Sequence, residues 1–131
     1  MAASIKTNNT ILIVEENQRM AFLLDFLLSR EGYQVVSMNP VQEHEAIADD
    51  IQPPKLIIMG SRISFANNNR LITRIRNQQR WKSVPIIILI ETFIKEKMKN
   101  ALDAGANDFL LQPFDSKELV AQITRHTVCV H

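Results

Sequence analysis

The chain is short of the residues that most metal, redox and membrane functions require. One cysteine, Cys129, stands near the end of its 131 residues. A single thiol excludes an internal disulfide and a cysteine-rich zinc site, and reads as a reduced bystander. His44, His126 and His131 are scattered without metal-ligand spacing and read as solvated. No stretch approaches the ~18 consecutive apolar residues of a membrane span. Met1 to Thr10 is polar and lacks the apolar segment of a secretion signal, so the cytoplasm is the expected compartment. There are only three glycines, and they form no phosphate-binding loop. With no Ser/His/Asp set and no Cys/His pair, the chain is not expected to be an enzyme. Acidic residues are missing from Ile51 to Ile90, where Lys55, Arg62, Arg70, Arg74, Arg76, Arg80 and Lys82 are all basic. The net charge is nevertheless +1, and Trp81 is the lone tryptophan. Without aromatic interleaving, nucleic-acid binding is not expected.

What is present suits one soluble domain. Hydrophobic residues make up 46% and charged residues 22%, and the length fits a single core. Five apolar runs recur: Ile11–Val14, Val35–Val36, Leu56–Met59, Ile86–Ile90 and Phe109–Leu111. Three are continuous rather than alternating, as in parallel strands covered on both faces. Between them lie helical patterns. Gln18 to Arg30 carries Met20, Leu23, Leu24, Leu27 and Leu28 on one face and is stopped by Gly32. Gln42 to Ile51 is a weaker pattern closed by Pro53 and Pro54. Asn69 to Gln79 carries Leu71, Ile72 and Ile75. Lys95 to Ala104 carries Met98, Ala101 and Leu102, ahead of Gly105. Ser116 to His126 carries Leu119, Val120 and Ile123, opened by Asp115 with Glu118 three residues on. Strand and helix alternate five times, which with right-handed crossovers gives an α/β domain with helices on both faces of a parallel sheet. Residues 1–9 read as a disordered N-terminal tail, 10–127 as the domain and 128–131 as a C-terminal tail.

In such sheets ligands bind beyond the carboxyl ends of the strands. Adjacent Glu15 and Glu16 follow the first strand. They either hold Mg²⁺, which takes oxygen ligands, or simply open a helix, where acids suit the dipole. Pro113 follows the last strand. A proline there can form a cis peptide, but the ordinary trans turn is the plainer expectation.

These residues resemble a family. Ile11-Leu12-Ile13-Val14-Glu15-Glu16 is similar to the first strand and acidic pair of bacterial response-regulator receiver domains, of the chemotaxis-regulator kind. Arg30 to Val36, Pro54 to Met59 and Val84 to Leu89 resemble their second, third and fourth strands with the approaches to them. Ala104 to Asp115 resembles the fifth strand and its flanks, and is the most specific match. The resemblance runs from about residue 10 to 126. It implies a flavodoxin-like, doubly wound five-stranded sheet of order 2-1-3-4-5 with five helices. It also implies a site where Mg²⁺ and an aspartate accept a phosphoryl group from a histidine kinase, sensed by a hydroxyl residue and a lysine.

The sequence departs from that pattern at the chemical positions. Gly60 stands where the phosphoacceptor aspartate should end the third strand. Ile90 replaces the hydroxyl residue and Gln112 the lysine. The acidic pair is Glu15-Glu16, where aspartates are commoner. Phe109 occupies the aromatic switch position and Pro113 the turn. Glycine offers no nucleophile. Gly60 removes one negative charge and Gln112 one positive, so the changes are matched. Two carboxylates remain for Mg²⁺, which demands near-ideal octahedral ligation, so any metal at Glu15 and Glu16 is expected to be weak and no cofactor is expected. Ser61, taken as a continuation of the strand, would point to the opposite face. The expected function is that of a pseudo-receiver of two-component signal transduction, a phosphorylation-independent protein-interaction module. A small-ligand sensor using the degenerate pocket and a residual phosphorelay receiver are the alternatives.

Phe22 and Phe26, four residues apart and off the apolar face of the first helix, suggest a contact surface. Arg70 and Arg74 suggest an acidic partner. Phe93 and Ile94 follow the fourth strand and either cover the pocket, join a partner surface or pack as a helix start. The expected partner is a signalling protein or output domain, with a homodimer left open.

Overall fold

The structure is a computed structural model that describes residues 8–38, 47 and 52–127. Five strands, β1 (Thr10–Val14), β2 (Gln34–Met38), β3 (Leu56–Gly60), β4 (Ile86–Ile90) and β5 (Asp108–Leu111), form one sheet of order β2-β1-β3-β4-β5. Every neighbouring pair is parallel. The helices among the described residues are α1 (Gln18–Arg30), α2 (Ser61–Phe65), α3 (Arg70–Asn77), α4 (Lys95–Ala104) and α5 (Ser116–Thr127). This is the flavodoxin-like arrangement.

The continuous apolar runs are explained by their two-sided burial. Because strand side chains alternate between faces, Ile11, Ile13, Leu56, Ile58, Ile87 and Leu89 pack with Leu24 and Leu28 of α1 and with Leu119 and Ile123 of α5. Leu12, Val14, Ile57, Met59, Ile86, Ile88 and Ile90 pack on the other face, with Leu71, Ile72 and Ile75 of α3, Ala101 of α4 and Trp81. Each fully buried aliphatic side chain contributes about 1.5–3 kcal/mol, so the three central strands dominate the stability.

The helix ends follow their sequence. Asn17 caps α1, its Oδ1 accepting from the amides of Arg19 and Met20 at 2.9 and 3.1 Å. Gly32, at φ +92°, ends it. Asp115 and Glu118 form a reciprocal capping box at the start of α5, with the Glu118 amide 2.8 Å from Asp115 Oδ1.

One expectation lies outside the described residues, and several others need correction. The predicted helix 42–51 lies outside the described residues, except Ile47, which is buried. The helix α2 was not foreseen. Leu23 and Leu102, assigned to buried faces, are 40% and 48% exposed. Asn8 and Asn9, placed in the tail, donate side-chain hydrogen bonds to the carbonyls of Pro53 and Gly32 and are tied into the domain. The peptide between Gln112 and Pro113 is cis rather than trans. His126 is not simply solvated, because its Nε2 lies 2.8 Å from Asp108 Oδ2 and its side chain is 20% exposed.

Candidate functional site

The carboxyl ends of β1, β3, β4 and β5 converge on a cavity of about 510 Å³. Glu15, Glu16, Ile90 and Gln112 line it, so four of the five chemical positions named from the sequence border one cavity. Gly60, the fifth, lies beneath Glu15. A Cβ built on Gly60 would fall 2.7 Å from Glu15 Oε1 and 3.1 Å from Oε2. The Glu15 carboxyl therefore occupies the space that any side chain at position 60 would need. A glutamate, one methylene longer than aspartate, reaches that space, and a glycine leaves it free.

This placement has an electrostatic consequence. The Glu15 carboxyl is pushed up from 4.5 to about 7, first by burial and then by the Glu16 carboxyl alongside, while the Asn17 amide, 2.9 Å from Oε2, pulls the other way. Near neutrality the Glu15 carboxyl is therefore only partly ionised. Glu16 Oε2 is buried and accepts no hydrogen bond among the described residues. Its ion pair with Arg62 Nε is long, at 3.8 Å, and the arginine side chain is 85% exposed. Such a pair is largely screened.

The rest of the cavity is mixed. Ser61 lines it, contrary to the expectation that its side chain points away. That expectation took the strand to continue, whereas β3 ends at Gly60 and α2 begins at Ser61, which turns the residue toward the site. Thr92 brings a second hydroxyl, and Ile90, 1% exposed, brings hydrocarbon. The backbone N–H of Gln112 donates to the Ile90 carbonyl at 2.8 Å, which locks the end of β5 to β4. Ile94 lines the cavity and is 43% exposed, whereas Phe93 projects outward at 69% exposure. Among the described residues no group of three His, Cys, Asp or Glu side chains is placed to hold a metal ion. The residues present fit Mg²⁺ poorly. The acidic pair Glu15 and Glu16, with Gly60 in place of a third carboxylate beside them, offers less than the oxygen-rich octahedron the ion demands.

Phe109 lies on β5, outside the cavity lining, and packs against the core on the α3 face of the sheet. Its carbonyl accepts from the buried amide of Gln122 at 2.6 Å. Phe22 and Phe26 are 73% and 52% exposed on α1, with the Arg30 guanidinium 5.4 Å from the Phe26 ring centre. Arg70 is exposed and Arg74 half-buried on α3. Since α1 and α3 cover opposite faces of the sheet, the phenylalanines and the arginines do not form one surface.

Arg76, counted with the basic stretch, turns inward. It donates to the carbonyls of Gly105, Trp81, Lys82 and Val84 and to Asn107 Oδ1, at 2.7 to 3.3 Å. Burial lowers its pKa from the usual guanidinium value. A residue four after Ile72 and one after Ile75 falls near the apolar face of its helix, which is the pattern that would have found it.

Comparison with known proteins agrees with this geometry. The chain is 24% identical over 115 residues to the phosphate regulon transcriptional regulatory protein PhoB of Escherichia coli strain K12, covering 86% of this chain and 49% of the relative. It is 34% identical over 115 residues to the response regulator ArlR of Staphylococcus aureus, covering 86% of this chain and 50% of the relative. The chain thus spans about half the length of these curated relatives. Among solved structures, the receiver domain of the sensor histidine kinase PA1611 from Pseudomonas aeruginosa, which has a magnesium ion in its active-site cleft, is similar with a TM-score of 0.78 at 27% identity, covering 92% of this chain and 98% of that one. The chemotaxis response regulator CheY4 of Vibrio cholerae shares the fold, with a TM-score of 0.79 at 22% identity, covering 92% of this chain and 99% of that one. The response regulator receiver domain family matches residues 11–124, and with its sheet order, its convergent strand ends and its acidic pair the chain belongs to that family.

Proposed function

We propose that this receiver domain does not accept a phosphoryl group at position 60 and works in two-component signalling as a phosphorylation-independent protein-interaction module. One observation carries the reading: Gly60 has no side chain, and the Glu15 carboxyl lies where one would be. An incoming phosphoryl group meets no nucleophile there and faces two carboxyls instead. The absence of a lysine at Gln112 removes the cation that the family pattern places beside the phosphoryl group. Mg²⁺ at Glu15 and Glu16 is weak in this reading.

The partner is a signalling protein or an output domain. Phe22 and Phe26 on α1 are the contact surface we favour, because both rings are exposed and exposed aromatics commonly anchor interfaces. Arg70 and Arg74 on α3 form a separate, basic contact. The described residues contain no helix long and apolar enough to cross a membrane, and the domain is assigned to the cytoplasm as part of this proposal.

Intact-mass measurement after incubation with acetyl phosphate and Mg²⁺ tests the reading. The expected result is an unmodified chain. A single phosphoryl adduct that forms and decays with Mg²⁺ would overturn it.

A further inference from the structure

Charge of one sign is gathered on one side of the sheet. Between Ile51 and Ile90 there is no acidic residue. The helices of the opposite face mix the signs: α1 carries Arg19, Asp25 and Arg30, and α5 carries Lys117, Glu118 and Arg125. By contrast α3 carries Arg70, Arg74 and Arg76 and no acid. Arg76 turns inward, so Arg70 and Arg74 set the outer charge of this helix. They stand one helical turn, about 6 Å, apart. Exposed Thr73 and Asn77 accompany them, and helical spacing places all four away from the buried Leu71, Ile72 and Ile75.

The basic stripe continues past the end of α3. Trp81 is 2% exposed, while Arg80 and Lys82 on either side of it are exposed. Arg76, in the last turn of α3, donates to the carbonyls of Trp81 and Lys82 at 3.3 and 3.1 Å. The buried ring and these two bonds hold the backbone of Arg80 to Lys82 against the end of the helix. Its cations are therefore set in place before a partner arrives, which lowers the ordering cost of binding.

Folding does not ask for this arrangement. Like charges one turn apart on a helix repel each other. A cation in the first turn opposes the helix dipole, and α3 has Arg70 there, with no acid in that turn and no side-chain cap. Neither Arg70 nor Lys82 has a side-chain ion pair among the described residues.

The surroundings of the cations select the partner. Trp81 is buried, so no exposed ring on the stripe offers a nucleic-acid base a stacking surface. No large apolar side chain is exposed on α3 or in the connection after it, so nothing there enters a lipid surface. An acidic helix suits the stripe in both respects. Carboxylates at i and i+4 repeat at about the same 6 Å as Arg70 and Arg74, and a guanidinium can hold a carboxylate through two parallel N–H bonds.

We propose that α3 and the connection after it dock an acidic helical segment of a protein partner, with Arg70, Arg74, Arg80 and Lys82 as the contacts. The proposal deepens the reading above and rests on it for the partner's being a protein.

Amide NMR titration of the chain with an alanine-rich helical peptide bearing glutamate at every fourth position tests this, at about 20 and about 150 mM salt. Single-stranded and duplex DNA oligonucleotides are titrated in parallel. The peptide is expected to shift the amides of Arg70, Thr73 and Lys82 and to leave those of Phe22 and Phe26 in place. The higher salt is expected to weaken it. Arg70→Glu combined with Lys82→Glu is expected to weaken the peptide roughly tenfold. Arg19→Glu combined with Lys117→Glu makes the same change of net charge on the opposite face and is expected to bind as the unaltered chain does. No shift, the outcome if the chain's own acids already neutralise the stripe, would overturn the proposal. So would equal losses in the two double variants, or tighter binding of either DNA at the higher salt. All four substituted positions are exposed, and titrations of the unaltered chain decide the matter if a variant loses the spectral dispersion of the fold. A phosphoryl adduct seen by mass alongside peptide binding would remove the phosphorylation-independent reading only, and no adduct with no peptide binding would remove the basic docking surface only.

Discussion

Two glycines in this domain are each overlain by a charged side chain, and they have opposite meanings. At Gly105 the neighbour is Arg76, whose Cγ would lie 2.7 Å from an added Cβ. At Gly60 it is Glu15, at the same 2.7 Å. Arg76 finds acceptors for its charge in four backbone carbonyls and an asparagine. The carboxyl of Glu15 receives the Asn17 amide and otherwise faces another carboxyl. The first arrangement joins the α3–β4 connection to the α4–β5 connection and resolves its electrostatics. The second leaves them unresolved, at the end of the sheet where ligands bind. A satisfied buried charge marks architecture, and an unsatisfied one marks a site.

The comparison can be broken most severely at Arg76. Arg76→Ala strands several carbonyls at once, and a loss of about 3 kcal/mol is expected in chemical denaturation. Arg76→Lys should recover little of it, since an ammonium cannot reproduce the fork. A loss below about 1 kcal/mol would show that water replaces the guanidinium at low cost.

Gly105→Ala comes next. Position 105 sits at φ +128°, a conformation costly for any side chain, and the clash falls on the middle of Arg76 rather than on its tip. About 2 kcal/mol of destabilisation is expected in the same measurement.

The Glu15 side of the comparison is sharpened by pH. Its carboxyl titrates at about 7 in the folded chain against 4.5 for the free side chain. The folded state therefore holds the extra proton between those values. Stability from this group is complete below pH 4.5 and is lost as pH rises through 7. Glu15→Gln is expected to flatten that decline in melting temperature. An identical pH profile in the variant would mean that another group sets it.

Gly60→Ala is the mildest of the four. Position 60 has an ordinary φ of −68°, and only the flexible end of Glu15 must move. A cost under about 1 kcal/mol is expected, with the Glu15 carboxyl falling toward 4.5 as it is pushed into water. Carbon-detected carboxyl titration reads the change. An unshifted carboxyl would show that the glutamate does not depend on the glycine for its place.

Much of this was legible in the sequence, for definable reasons. The strands at Ile11–Val14, Leu56–Met59 and Ile86–Ile90 were visible because burial on both faces demands unbroken apolar runs. Phe22 and Phe26 read correctly as exposed because a helix has a fixed period. The α2 helix was hidden because it is short and follows Gly60 without a break, so Ser61 was read with the wrong geometry. Asn67, Asn68 and Asn69 are three successive left-handed residues, at φ 50°, 58° and 61°, and the helical pattern read from Asn69 gave no sign of it. Asparagine tolerates that conformation better than most residues, though composition alone does not require it. Leu23 and Leu102 were misplaced because helical spacing gives a face only to within a residue. The contact between Glu15 and Gly60 joins positions 45 apart and could be seen only once the strands were side by side.

The two-sided packing of the central strands has a consequence for descent. Ile11 to Val14, Leu56 to Met59 and Ile86 to Leu89 are 5% exposed or less, and the residues that meet the cavity lie beyond the ends of these segments or at the last position of β4. Folding information and chemical information are thus written in adjoining but separate stretches of chain. A lineage can exchange nucleophile, hydroxyl and lysine one after another while inheriting the same shape. The scaffold then becomes raw material for a different kind of recognition.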